Sequence, residues 1–147
     1  MAALDILGAD EWATPSGRCI DLPNRGNILP VPMKVRRTDD GRIQGWARFR
    51  RFHLGRNSAV HGGALGLLFD SILGMTSAVI TGGPRQRTAY LHINYRQIVP
   101  IEKELQIDAG VDRVEGRKIF VSGRLSDGEE VLTEGEALFV LLKPGQP

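Results

Sequence analysis

The sequence is poor in cysteine, in aromatic residues and in net charge. Cys19 is the only cysteine among 147 residues, which excludes an intramolecular disulfide framework and any multi-cysteine zinc site. A lone thiol fits a reducing, cytoplasmic setting. Nineteen basic residues stand against seventeen acidic ones, for a net charge of +2, and aromatics make up 6%. That balance speaks against a nucleic-acid surface, which needs concentrated positive charge and stacking platforms. His53, His61 and His92 show no spacing that makes a catalytic triad or a metal cluster, so no metal and no cofactor is implied. An uninterrupted apolar run is also missing. The longest candidate, 59–80, carries His61, Asp70, Ser71, Thr76 and four glycines, which argues against a bilayer span. The start, with Asp5, Asp10 and Glu11 and no basic region, does not read as a signal peptide. The expectation is a cytoplasmic protein without a membrane partner.

Hydrophobic residues at 41% and charged residues at 24% match an ordinary globular domain, and the length allows one core without staples. Fifteen of the nineteen basic residues are arginine, the side chain suited to forked contacts with phosphate or carboxylate. Residues 1–28 show no sustained period and read as an N-terminal extension; 29–147 reads as the domain. A strand near Val31–Thr38 and a turn at Asp39-Asp40-Gly41 precede a second strand. There Ile43, Gly45, Ala47 and Phe49 alternate with polar neighbours. A helix spans roughly Gly62 to Ile80, stopped by Gly82-Gly83-Pro84. Four strand-like segments follow: 87–96, 105–114, 118–125 and 131–142. In the first, Ala89, Leu91, Ile93 and Tyr95 alternate with Thr88, Tyr90, His92 and Asn94. The order predicts an α+β architecture: a six-stranded antiparallel sheet wrapped around one long helix.

At about 100° per residue, Leu65, Leu68, Phe69, Ile72, Met75, Thr76 and Val79 share one bulky helix face. Gly63, Gly66, Asp70, Gly74 and Ser77 share the opposite arc. Interior glycines cost roughly 1 kcal/mol each relative to alanine, so that arc needs room for a neighbouring backbone or a ligand. Asp70 is the only ionisable residue in the helix body. Asn57 and Ser58 are candidate caps, although His61-Gly62-Gly63 places the first turn near Gly62. Side-chain-free residues at a helix N-terminus leave N–H donors open to an oxyanion. Gly62 and Asp70 lie eight residues apart, hence roughly 12 Å along the axis. One carbonyl cannot touch both within one chain, so joint action requires a second, antiparallel copy of the helix across a two-fold axis.

The run Val60-His61-Gly62-Gly63-Ala64-Leu65-Gly66-Leu67-Leu68-Phe69-Asp70 resembles the hotdog-fold acyl-CoA thioesterases, in particular their phenylacetic-acid-pathway (PaaI-like) branch. The blocks 89–96 and 114–118 are similar to the same family. The resemblance implies hydrolysis of an acyl-CoA thioester to a free acid and CoA, at a site shared across a homodimer or within a homotetramer. It implies Asp70 as nucleophile or general base, and the Gly62 N–H as the group that polarises the carbonyl. Thr88 falls where relatives often carry a Ser or Thr that holds the attacking water. Several relatives carry an orienting Asn or Gln seven residues before the first glycine; here that position is Gly55, and Asn57 either takes the role or caps. His61 reads as orienting the loop, with general base as the alternative.

CoA carries a 3′-phosphate and a diphosphate, so basic side chains at the site mouth are candidates to bind it. Arg117 and Lys118 lead, with Arg96 and Arg56 behind them. The alternative function is a non-catalytic acyl-CoA-binding protein on the same fold. A hydratase on that fold would need a paired His and acid, which the sequence does not show.

Overall fold

The computed structural model describes residues 30–83 and 85–146; the extension at 1–28, and Cys19 with it, lies outside the described residues. Six strands form one antiparallel sheet: β1 (Met33–Arg37), β2 (Ile43–Arg48), β3 (Gln86–Tyr95), β4 (Glu104–Glu115), β5 (Lys118–Asp127) and β6 (Glu130–Leu141). Their order across the sheet is β1-β2-β4-β5-β6-β3. A single long helix, α1 (Gly62–Thr81), packs against β2 through β6, and a 3-10 turn (Arg51–His53) leads into it. The α+β expectation is met, with strand ends differing by a few residues.

Tight turns set the register. Gly41, Gly116 and Gly128 adopt φ of +81°, +60° and +60°, a left-handed conformation open to glycine without the usual side-chain penalty. Between turns, period-two alternation sends Ile43 and Ala47, Leu105 and Ile107, Val121 and Leu125 to the helix side, where all are buried. One cross-strand row is built from small residues: Ala109 pairs with Gly123, and Gly123 with Gly135. The row forms a trough for the bulky side of α1. A Cβ on Gly135 would stand 2.4 Å from Phe69 Cδ1, and one on Gly123 would stand 3.3 Å from Leu73 Cδ2. Burying Phe69 and Leu73 there contributes roughly 1.5–3 kcal/mol each.

By length and apolar composition α1 would pass for a membrane span. Instead its Leu65, Leu68, Phe69, Ile72 and Met75 side chains are buried under the sheet, as the helix wheel predicts. The helix ends at Gly82, φ +71°, whose N–H donates to Ala78 O at 2.8 Å. The glycine arc is shorter than predicted, because Ser77 is buried and its hydroxyl donates to Gly74 O at 2.8 Å. What remains outward is Gly63, Gly66, Leu67, Asp70 and Ser71, flanked by β3 at the sheet edge.

Candidate active site

The start of α1 is closed by one residue. His61 is the N-cap, in place of the candidates Asn57 and Ser58, and the first turn begins at Gly62 as expected; the His61 Nδ1 accepts from Gly63 N–H at 2.9 Å. Its carbonyl accepts from Ala64 N–H at 2.9 Å and Leu65 N–H at 3.3 Å. A helix leaves its first four N–H groups without intrahelical acceptors. Of the four here, His61 N–H donates to His53 O at 2.7 Å, the His61 cap takes Gly63 and Ala64, and Gly62 N–H has no acceptor among the described residues. The predicted donor is therefore the one the cap leaves open, at the positive end of the helix dipole. The His61 imidazole is engaged in the cap.

Asp70 lies two turns along the same helix, exposed, with one side-chain partner. Thr88 Oγ1 donates to Asp70 Oδ1 at 2.8 Å. Simple alternation along β3 would point Thr88 away from the helix. The pairing with β6 shifts between Thr88 and Tyr90: Thr88 lies opposite Phe139 and Tyr90 opposite Leu138, leaving Ala89 as the extra residue. This bulge interrupts the alternation along the strand. It brings Thr88 onto the face of Leu91, Ile93 and Tyr95.

Two further β3 side chains touch the helix backbone. Tyr95 Oη donates to Gly62 O at 3.0 Å, and Gln86 Nε2 donates to Gly74 O at 3.2 Å. Tyr95 follows the alternation of Leu91 and Ile93, whereas Gln86 reaches the helix side with Thr88 because of the bulge. A Cβ on Gly62 would meet the Tyr95 ring at 3.3–3.6 Å, whereas one on Gly66 would meet nothing within 4 Å. A cleft of about 410 Å³ opens beside Gly62, lined by Val60, Leu65, Tyr95, Ile98 and Val99 among others. Larger concavities, of about 570 and 430 Å³, lie on the outer face of the sheet around Asp108 and Arg124, away from Asp70. Their volume does not make them the site.

Asn57 sits in an exposed turn at φ +54°, followed by Ser58 at +61°. Gly55 N–H donates to Ala59 O at 2.7 Å across that turn. Among the cationic candidates, Arg96 lines the Gly62 cleft but is paired with Glu134 at 2.7 Å. Arg56 is exposed in the turn before Asn57. Arg117 and Lys118 belong to the β4–β5 hairpin, at the Thr88 end of the sheet. His53 is buried, its Nδ1 accepting from Arg50 N–H at 3.0 Å, and His92 contacts Asn94 at 3.1 Å on the outer face. Neither is brought to Asp70. No group of three or more His, Cys, Asp or Glu side chains suited to a metal occurs among the described residues.

A six-stranded antiparallel sheet packed on one long central helix is the hotdog class of fold. Residues 57–134, just over half of the chain, match the Thioesterase superfamily model, and the chain belongs to that family. It is 34% identical over 86 residues to acyl-coenzyme A thioesterase THEM4 of Xenopus laevis, covering 57% of this chain and 38% of that protein. It is 36% identical over 90 residues to the Mus musculus protein of the same name, covering 60% and 38%. The chain thus spans well under half the length of these curated relatives. The crystal structure of RHA08564, a thioesterase superfamily protein, superposes with a TM-score of 0.67 at 31% identity, covering 74% of this chain and 53% of the other. A point mutant of the phenylacetic acid degradation protein PaaI from Thermus thermophilus shares the fold at 17% identity, with a TM-score of 0.66 and coverages of 75% and 93%.

Proposed function

We propose that this chain hydrolyses acyl-CoA thioesters to a free acid and CoA. One observation carries the reading: the only helix N–H that His61 leaves without an acceptor, on Gly62, belongs to the helix that presents the exposed Asp70 held by Thr88. The thioester oxygen takes the Gly62 N–H, and negative charge developing on it is favoured at the helix N-terminus. Asp70 acts as general base or as nucleophile. As base it removes a proton from water, and the hydroxide adds to the carbonyl carbon. The tetrahedral intermediate then expels the CoA thiolate, which is protonated. Thr88 fixes the carboxylate so that its second oxygen remains for this work.

Because Gly62 and Asp70 of one chain lie roughly 12 Å apart along the helix, each site takes Gly62 from one protomer and Asp70 from the other. The uncovered helix face and the free edge of β3 support that pairing. A cytoplasmic setting goes with the proposal. Release of free thiol from a panel of acyl-CoA thioesters tests it; a folded protein that binds the panel and releases no thiol would make this a binding protein instead.

A further inference from the structure

Gly62 carries the first-turn N–H that has no acceptor among the described residues, and a glycine has no side chain to restrict its own backbone angles. The two peptide planes that meet at its Cα are nonetheless tied at each of their other polar atoms. In the plane before it, the His61 carbonyl accepts from Ala64 N–H at 2.9 Å and Leu65 N–H at 3.3 Å. In the plane after it, Gly63 N–H donates to His61 Nδ1 at 2.9 Å, and the Gly62 carbonyl accepts from Tyr95 Oη at 3.0 Å. A peptide unit is planar and stiff, so pinning the planes on both sides of Gly62 leaves its N–H one direction. Of these ties, the one from Tyr95 alone comes from outside the helix and its cap. It is delivered by β3, 33 residues along the chain.

Tyr95 is 57% exposed, so its ring does not fill the core, and an exposed hydrogen bond adds little to folding stability. What the bond fixes is geometry. The Tyr95 ring stands 3.3–3.6 Å from where a Gly62 Cβ would be and lines the cleft that opens beside that residue. The same strand ties α1 twice more, through Gln86 Nε2 to Gly74 O and Thr88 Oγ1 to Asp70 Oδ1; of the three, the Tyr95 tie alone lies beside the open N–H. We propose that Tyr95 is a positioning residue, holding the Gly62 backbone so that its free N–H keeps a fixed aim at the oxyanion. The role rests on the thioesterase reading and acts through Gly62, without a contact to substrate. A donor set in advance needs no reorganisation as charge develops, so the benefit falls on the chemical step and not on binding.

The test compares, on the full chain, Tyr95→Phe, which loses only the hydroxyl, with Gln86→Met, which loses the tie at Gly74 and leaves the helix start alone. With hexanoyl-CoA, Tyr95→Phe should lose about tenfold in kcat at a KM within about twofold of wild type, and Gln86→Met should keep kcat within about twofold. An unchanged kcat in Tyr95→Phe, equal losses in the two variants, or a loss carried by KM overturns the proposal. Equal losses would mean a general loosening of the helix on the sheet, and a KM effect a lost substrate contact. Glycine-selective 15N labelling supplies a readout without turnover: the order parameter of the Gly62 amide should fall in Tyr95→Phe and hold in Gln86→Met. If the thioesterase reading fails, no form releases thiol while the Gly62 amide still loosens in Tyr95→Phe. If the positioning role fails, wild type hydrolyses the substrate and the Gly62 amide is as ordered in Tyr95→Phe as in wild type.

Discussion

Thr88 and Asp70, eighteen residues apart, meet through a 2.8 Å hydrogen bond because one extra residue, Ala89, turns β3 over between Thr88 and Tyr90. The strand and the helix each present an ordinary side chain; the bulge makes them a pair. A carboxylate with one oxygen held and one exposed can be aimed at a substrate, which a freely rotating surface aspartate cannot.

Asp70→Asn keeps the size of the side chain and removes both its charge and its basicity. Thiol release from a good acyl-CoA substrate should fall by about 10²-fold or more, with the thermal midpoint little changed because Asp70 is exposed. Activity within twofold of wild type, by steady-state thiol assay, would remove Asp70 from the chemistry.

Thr88 should tolerate serine and not valine. Thr88→Ser keeps the hydroxyl that reaches Asp70 Oδ1, so kcat should stay within a few-fold of wild type. Thr88→Val keeps the branched shape and loses the donor, with kcat expected to drop by about tenfold. Equal rates in the two variants would show that the hydrogen bond does not matter to turnover.

His61 separates capping from acid–base chemistry. His61→Ala removes the acceptor for Gly63 N–H and should cost about 1 kcal/mol of stability, read by urea titration. His61→Asn supplies another cap oxygen without an imidazole and should recover most of both stability and activity. Loss of activity in both variants, with stability recovered in the Asn form, would make His61 a general base.

The packing of α1 on the sheet is testable at Gly135. A methyl group there would stand 2.4 Å from Phe69 Cδ1, and Phe69 is itself buried in the core. Gly135→Ala should destabilise the fold by about 1–3 kcal/mol. An unchanged denaturation midpoint would mean that the trough is looser than these distances indicate.

Much of this molecule is legible in its sequence. Helix periodicity from Leu65 to Val79 and strand alternation at Ile43–Phe49 give the layers directly, because burial on one face imposes those periods. The open Gly62 N–H follows from having glycines at a helix start, although the cap itself does not: His61 is a less common cap than Asn57 or Ser58. The position of the bulge at Ala89 is not given by the sequence, since apolar and polar residues continue to alternate through it, and Gln86 as a helix partner is hidden with it, whereas Tyr95 already falls on the side of Leu91 and Ile93. The pairing of Arg96 with Glu134 depends on register between β3 and β6, which no local pattern encodes. That pairing separates the committed cation from Arg117 and Lys118.

The two-chain site is tested most directly by complementation. Gly62→Pro deletes the proposed oxyanion donor at a first-turn position that accepts proline, and Asp70→Asn deletes the carboxylate. Each homodimer should be inactive. Co-refolding the two variants in equal amounts makes half of the dimers mixed, each with one intact site built from Gly62 of one chain and Asp70 of the other, so thiol release should return to about one quarter of the wild-type rate. A mixture that stays inactive although mixed dimers form would contradict a site shared between chains.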